Sequence, residues 1–268
     1  MLKTDSDLKI AIKASLHAGK EIMAVYDSGD FNIEFKGDNS PLTIADKRAN
    51  EIIVAELQKT GMPIISEENK QTTYSERKIW SQCWIVDPLD GTKEFIKRNG
   101  EFTVNIALVE EGMPILGVIY APVLGELFFG DVKRKKAYKI LIQPEEKIDY
   151  DLLIQRAIEI KPTKSSNTTV RIVGSRSHMN QDTLDFIVGI ENEGKKTEVV
   201  SIGSSLKLCL LAEGRADIYP RFAPTMEWDT AAGHAICKAV GLEVVNPENN
   251  NPLTYNKDNL LNPYFICK

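Results

Sequence analysis

The chain has 268 residues, of which 43% are hydrophobic and 26% charged, so it can bury a real core in one large domain or in two closely packed ones. Its net charge of -5 argues against a nucleic-acid polymer as partner, because affinity for a phosphate backbone comes from an excess of Lys and Arg. The longest apolar stretch, 115–129, is interrupted by glycine, proline and glutamate, so no transmembrane span is predicted.

The first residues and the cysteines bear on the cellular compartment. Asp5 and Asp7 stand where a signal peptide would carry a basic and then an apolar region. Four cysteines lie in apolar segments without a C-x-x-C pair: Cys83, Cys209, Cys237 and Cys267. This pattern favours reduced core thiols over a disulfide framework or a zinc site. We therefore predict a cytoplasmic protein, and leave open its oligomeric state and a peripheral association with the inner membrane.

The first half of the chain is predicted to be α+β. Apolar residues at three- and four-residue spacing indicate helices, the second of which ends at Gly61, and alternating or continuous apolar runs indicate strands. The predicted helices are 4–26 and 43–60, and the predicted strands are 31–35, 64–65, 84–86, 102–109, 115–121 and 126–129. Asp87 and Asp90 are then expected in a loop just beyond a strand, where chemistry concentrates.

The second half begins after a linker-like stretch, 161–167, and alternates strands with helices, which favours an α/β layer. The predicted strands are 170–173, 199–200, 216–219 and 242–245, and the predicted helices are 182–188, 204–212 and 230–240. We predict an N-terminal α+β half, 1–142, that carries Glu67 and the Asp87–Asp90 loop. The C-terminal α/β half, 143–268, carries Asp229 and the segments that set substrate specificity.

The segment 87–92 has the clearest chemical pattern. Pro88 fixes the backbone and Gly91 is free to take a positive φ, so a tight turn can aim the carboxylates of Asp87 and Asp90 into one pocket. Magnesium prefers hard oxygen ligands, and two such ions can clamp the attacking and leaving oxygens of an in-line displacement. The alternative is a polar turn without chemistry.

Three other features are ambiguous when taken singly. The hydroxyl of Thr92 and the amides of 91–93 would cradle a phosphate if a helix begins there, although Thr92 would also serve as a helix cap. Glu67 follows a predicted strand and would deliver a carboxylate to the same edge of the sheet, or else lie at a solvated helix start. Asp229 stands at a predicted helix N-terminus, where capping is the commonest role.

Together these segments resemble the inositol monophosphatase-like superfamily of lithium-sensitive, magnesium-dependent sugar and nucleotide phosphatases. The resemblance lies in Asp-Pro-Leu-Asp-Gly-Thr and the phenylalanine that follows at 87–95, Ser-Glu-Glu at 66–68 and Trp-Asp-x-Ala-Ala-Gly at 228–233. It covers essentially the whole chain in the expected order. It implies a layered α/β/α/β/α sugar-phosphatase fold and phosphomonoesterase activity.

The resemblance also implies a set of metal ligands. Glu67, Asp87 and the carbonyl of Leu89 would hold a first Mg²⁺, and Asp87, Asp90 and Asp229 would hold a second.

A catalytic pair is implied in the same way. Thr92 and Asp46, which lies in the early Thr-x-x-Asp segment, would orient the attacking water. Glu68 would assist that water or a weaker third ion.

Segments of the second half resemble the 3'(2'),5'-bisphosphate nucleotidase branch of the superfamily. They are 175–178, 203–207, 212–214, 219–222 and 227–235. That branch releases the 3'-phosphate of adenosine 3',5'-bisphosphate, a by-product of sulfate transfer and assimilation. The implied partner is thus a small nucleotide bisphosphate. The rivals are a phosphatase for inositol monophosphate or fructose 1,6-bisphosphate, and a catalytically silent metabolite-binding protein on the same scaffold.

The substrate's second phosphate makes cations outside the metal site useful. The candidates are Arg176, His178, Lys207 and Arg221. Pairing with surface acids would also explain Lys207 and Arg221. The expected substrate contacts are Glu67, Leu89, Asp90, Gly91, Thr92, Ser175, Arg176, His178, Ser204, Lys207, Arg221 and Asp229.

Overall fold

A computed structural model of the chain describes residues 3–35, 37, 41–143, 148–163, 168–174 and 179–268. Its helices are α1 (Lys3–Ser28), α2 (Ile44–Leu57), α3 (Tyr74–Arg77), α4 (Thr92–Ile96), α5 (Tyr150–Arg156), α6 (Gln181–Asn192), α7 (Leu206–Ala212) and α8 (Glu227–Ala239), with a 3-10 turn at Gln58–Thr60. Its strands are β1 (Glu34–Phe35), β2 (Pro41–Leu42), β3 (Ile64–Ser66), β4 (Gln82–Asp90), β5 (Thr103–Glu110), β6 (Met113–Ala121), β7 (Glu126–Asp131), β8 (Lys136–Leu141), β9 (Ile158–Ile160), β10 (Thr169–Gly174), β11 (Lys196–Ser201), β12 (Tyr219–Arg221), β13 (Val244–Val245) and β14 (Phe265–Cys267). None of the described helices has both the length and the hydrophobicity that a membrane span requires.

The central element is a seven-stranded sheet that runs from β3 to β9 in chain order, with β3 and β4 parallel and every later pair antiparallel. Side chains alternate between its faces, as the two-residue period of a strand requires. Trp84 and Val86 pack against α1 and α2, whereas Cys83 and Ile85 pack on the face that α7 and α8 cover. The sheet therefore separates two hydrophobic cores.

Helix α8 lies very close to the sheet because two strand residues lack side chains. A Cβ atom on Gly117 would collide with the backbone oxygen of Ala232, and one on Gly130 would lie 2.9 Å from the Cα of Ile236. Backbone contact of this kind fixes the height and axial position of a helix over a sheet. The first turn of α8 carries Asp229, so the two glycines help to place that carboxylate.

A second β layer lies beyond α7 and α8. It consists of the parallel pair β10–β11 and the three-stranded sheet β12-β14-β13, and α6 packs against β11 and β12. The sequence of helix, sheet, helix, sheet and helix layers confirms the predicted fold. The boundary at 142/143 stays a prediction, and the large sheet takes its last strand, β9, from beyond it.

Several local predictions need correction. The predicted strand over 31–35 is limited to Glu34–Phe35, and Asp87–Asp90 belong to strand β4 rather than to a loop. Strands β2, β8, β9 and β14 and helices α3 and α5 are additions to the predicted elements. Gly61 ends the second helical segment with φ of 71°, as predicted, and all four cysteines are buried and free.

Candidate active site

A one-residue bulge in β4 places two carboxylates on the same face of the sheet. Asp87 pairs with Asn105 and Asp90 pairs with Thr103, so three residue steps on β4 oppose two on β5. Without the extra residue, positions three apart would point to opposite faces. The bulge therefore turns Asp90 to the face that Asp87 occupies, which is the face covered by α7 and α8.

The acids expected as metal ligands lie within electrostatic reach of one another. Asp87 is buried, and its pKa lies well above the usual value because of burial and, after that, because of the charges of Glu67, Asp90, Asp229 and Asp46. The structure thus brings together carboxylates from β4, the segment after β3, and helices α2 and α8. Like charges gathered in this way destabilise one another unless a cation is present.

Glu67 reaches the cluster because β3 runs parallel to β4. Its backbone amide donates to the carbonyl of Val86 at 3.2 Å, next to Asp87. Glu67 and Glu68 lie in a turn closed by the hydrogen bond from the Asn69 amide to the Ser66 carbonyl, 3.2 Å, so the alternative of a helix start is wrong here.

The predicted catalytic pair is in contact. The Thr92 hydroxyl donates to Asp46 Oδ1 at 3.2 Å and lies 3.3 Å from the Leu89 carbonyl. Thr43 holds the other Asp46 oxygen through its amide, 2.7 Å, and its hydroxyl, 2.6 Å. The N-cap of α4 is Gly91, with φ of 95°, so Thr92 is not the cap and its hydroxyl remains available for Asp46.

Asp229 has both roles that the sequence allowed. One carboxylate oxygen accepts the Met226 amide at 2.8 Å, which caps α8. Burial, and after it the charge of Asp90, raises the pKa of Asp229 to about 8, although the Met226 hydrogen bond opposes the shift. Burial also raises the pKa of Asp90 to about 6, against the charge of Lys207 and a hydrogen bond from the backbone of Ser205.

A cavity of about 70 Å³ lies beside these two acids and also contains two cations, Lys207 and Arg221, in its wall. Lys207 is buried, and its Nζ donates to the Ser204 carbonyl at 2.9 Å, so surface pairing does not explain it. Burial lowers the pKa of Lys207 to about 8 against the charge of Asp90. The Nε atom of Arg221 is buried and has no hydrogen-bond partner among the described residues, and its Nη2 donates to the Pro224 carbonyl at 3.3 Å.

Ser175, Arg176 and His178 lie outside the described residues.

The model of the Inositol monophosphatase family matches residues 3–264, nearly the whole chain. The chain belongs to this family.

Two sequence relatives and two solved structures show how far the similarity of this chain to known proteins extends. The 3'(2'),5'-bisphosphate nucleotidase CysQ of Escherichia coli strain K12 is 41% identical over 253 residues, 93% of this chain and 94% of the relative. The enzyme of the same name from Buchnera aphidicola is 45% identical over 230 residues, 85% and 79% of the two chains. The crystal structure of CysQ from Bacteroides thetaiotaomicron, 48% identical, superposes with a TM-score of 0.89 and covers 100% of this chain and 98% of that one. SuhB from Bartonella henselae, 23% identical with a TM-score of 0.73, covers 96% and 92% and shares the fold.

The inositol monophosphatase family is metal-dependent, typically with Mg²⁺. The clustered carboxylates of this chain are suitable ligands for that ion. The acids supply hard oxygens. Burial and, after it, repulsion between the acids raise the pKa of Asp87 and Asp229, and a divalent cation would offset that repulsion. Within the described ranges no group of three or more His, Cys, Asp and Glu side chains is arranged to hold a metal ion as it stands. The ligand set and the number of ions therefore stay predictions.

Sequence reasoning missed three polar residues of the site. Thr103 and Asn105 are fully buried on β5, and Ser205 lies opposite them in the turn before α7. The sequence does carry a signal for two of them: positions 103 and 105 are polar and share one face of a strand whose residues 104 and 106–109 are all apolar.

Proposed function

We propose that this chain is a Mg²⁺-dependent 3'(2'),5'-bisphosphate nucleotidase that hydrolyses adenosine 3',5'-bisphosphate to AMP and phosphate. Relatives with that name match 85–93% of the chain at 41–45% identity. A cytoplasmic location belongs to the same proposal, and the four free, buried cysteines support it.

One observation carries the choice of a bisphosphate. The cavity is lined by Asp90 and Asp229 together with Lys207 and Arg221, so the predicted metal ligands lie next to two cations. A buried Arg Nε without a partner in the described part of the chain is costly unless a ligand accepts its hydrogen bond. A phosphate that is retained after reaction is such an acceptor, whereas the hydroxyls of an inositol ring do not need two cations.

The predicted ligand sets are Glu67, Asp87 and the Leu89 carbonyl for one ion, and Asp87, Asp90 and Asp229 for the other. Bound there, Mg²⁺ would neutralise charge on the transferred phosphoryl group and on the leaving oxygen.

The chain's own residues would position the nucleophile. Because the Thr92 hydroxyl donates to Asp46, its lone pairs can accept a hydrogen from the attacking water. Thr43 holds Asp46 in place for this role. The water oxygen forms the new bond to phosphorus and the bond to the 3'-oxygen breaks. A proton leaves the water toward the Thr92–Asp46 pair, and the departing oxygen takes up a proton from solvent.

A phosphate-release panel with Mg²⁺ tests the proposal. Adenosine 3',5'-bisphosphate should give a higher kcat/KM than inositol 1-phosphate or fructose 1,6-bisphosphate. Lys207→Met should reduce that advantage mainly through KM. Faster turnover of inositol 1-phosphate would show that the substrate is misassigned.

A further inference from the structure

Two buried polar residues of β5, Thr103 and Asn105, belong to one hydrogen-bond network with Asp90, a predicted metal ligand, and with the turn before α7. Thr103 is 0% exposed and Asn105 is 1% exposed, on the strand face that carries Ala107 and Val109 into the core under α8. Burial of polar groups is unfavourable unless hydrogen bonds satisfy them. Their partners therefore show which parts of the molecule they hold.

The hydrogen-bond partners of Thr103 and Asn105 lie on β4 and in the turn before α7. Asn105 Oδ1 accepts from the Ser205 hydroxyl at 2.7 Å and from the Thr103 hydroxyl at 3.1 Å, and its Nδ2 lies 3.4 Å from Asp90 Oδ2 as donor. The Thr103 and Ser205 hydroxyls are also 2.8 Å apart. One network thus joins Asp90 to the turn 203–205.

That turn has a backbone conformation that needs support. Ser204 has φ of 45°, in the left-handed region that residues with a Cβ seldom adopt. The Thr103 and Ser204 hydroxyls are 3.3 Å apart, and the Ser204 carbonyl accepts a hydrogen bond from Lys207 Nζ at 2.9 Å. The position of the buried cation therefore depends on the turn, and the turn is fixed to the sheet by β5.

We propose that Thr103 and Asn105 are positioning residues that set the spacing between Asp90 and Lys207, and through it the selectivity for a substrate with a second phosphate. The inference rests on the proposed function for the identity of the substrate. Neither residue touches the reacting atoms in this account. Their effect passes through Ser204 and Ser205 to Lys207.

The test compares Thr103→Val, which keeps the shape and removes the hydroxyl, with Thr103→Ser, which keeps the hydroxyl. Thr60→Val is the matched control: its hydroxyl donates to the Leu57 carbonyl at 2.6 Å and accepts Trp84 Nε1 at 3.0 Å, on the opposite face of the sheet. The measured quantity is kcat/KM for adenosine 3',5'-bisphosphate divided by kcat/KM for adenosine 3'-monophosphate. Calorimetry of AMP binding, with adenosine as reference, gives a second readout without turnover.

We expect Thr103→Val to lower the ratio about tenfold or more, mainly through KM for the bisphosphate, and to weaken AMP binding by a similar factor. Thr103→Ser and Thr60→Val should stay within about twofold of wild type. If Thr103→Val does not fold, Ser205→Ala removes the other end of the same hydrogen bond and should give the same pattern.

An unchanged ratio, an equal loss on both substrates, or a loss in Thr103→Ser as large as in Thr103→Val would overturn the inference. A wild-type protein that releases no phosphate from adenosine 3',5'-bisphosphate would refute the proposed function instead, and the AMP-binding comparison would then decide the role of Thr103.

Discussion

Asp90→Asn should inactivate the protein and yet stabilise it when no metal ion is present. The substitution keeps the shape of the side chain and removes one charge from the crowded carboxylates. In the native protein the pKa of Asp90 is raised to about 6 by burial, even though Lys207 lies nearby. Unfolding would return the pKa of this carboxyl to its ordinary value of 3.8.

The sign follows from which state holds the proton more tightly. A carboxyl with a raised native pKa favours folding at low pH, and that contribution is lost as the pH rises from about 4 through about 6. A pKa that is higher by about 2 in the folded state than in the unfolded state corresponds to about 3 kcal/mol in total, of which about 2 kcal/mol falls between pH 4 and pH 7. The same substitution also removes the charge that, after burial, raises the pKa of Asp229, so the measured difference should exceed these figures.

Urea unfolding in EDTA at pH 4 and pH 7, followed by tryptophan fluorescence, measures this difference. The free energy of unfolding of Asp90→Asn minus that of wild type should increase by about 2 kcal/mol from pH 4 to pH 7. Mg²⁺ should stabilise wild type at pH 7 more than the variant, because the ion binds only the folded state and needs the deprotonated carboxylate. Asp131→Asn, which replaces a buried acid that accepts the Arg134 amide at 3.0 Å on β7, is the control, and Mg²⁺ should stabilise it as much as it stabilises wild type. A difference in the free energy of unfolding between Asp90→Asn and wild type that is the same at pH 4 and pH 7 would refute the reasoning.

Three further predictions follow from the site and the packing. Thr92→Ala should lower kcat about 100-fold or more, because the hydroxyl that donates to Asp46 is lost. Its far-ultraviolet circular dichroism spectrum should be unchanged. Activity within threefold of wild type would contradict a role of Thr92 in orienting the attacking water. Lithium, a small hard ion with half the charge of Mg²⁺, should inhibit at concentrations where sodium does not, and identical inhibition curves for the two salts would count against a lithium-sensitive site. Gly117→Ala should lower the free energy of unfolding by about 3 kcal/mol, because the new Cβ meets the Ala232 carbonyl. Gly61→Ala is the control: with φ of 71° and open space around it, it should cost about 1 kcal/mol in the same urea assay. Equal losses would show that the close approach of α8 to the sheet does not determine the cost at Gly117.

The helices and the central strands were predictable because their signals are local. Apolar spacing in α1, α2 and α8 and apolar runs in β4–β7 appear within single segments. Strand β14 pairs with β12 and β13, and its three residues carry no local pattern that reveals those partners. Pro88 and Gly91 indicated a loop after Val86. The strand continues to Asp90 because the missing amide of Pro88 falls in the bulge, where the regular ladder is interrupted.

The site was only partly predictable. The acids were assigned through the family resemblance, because Glu67, Asp87 and Asp229 are far apart in sequence and spacing alone left each ambiguous. The contact between Thr92 and Asp46 followed from the same source. Asn105 and Ser205 were missed because their importance depends on the pairing of β5 with β4 and on the turn before α7, and both are long-range contacts.

The most direct test of the central claim is the identity of the phosphate that is removed. Adenosine 3',5'-bisphosphate is incubated with the protein and Mg²⁺, and the products are followed by phosphorus NMR. The proposed function predicts that the 3'-phosphate signal is replaced by inorganic phosphate. The 5'-phosphate of AMP should persist, held at the end of the cavity that Lys207 and Arg221 line. Accumulation of adenosine 3'-monophosphate, or an unchanged spectrum with a folded protein, would contradict the account.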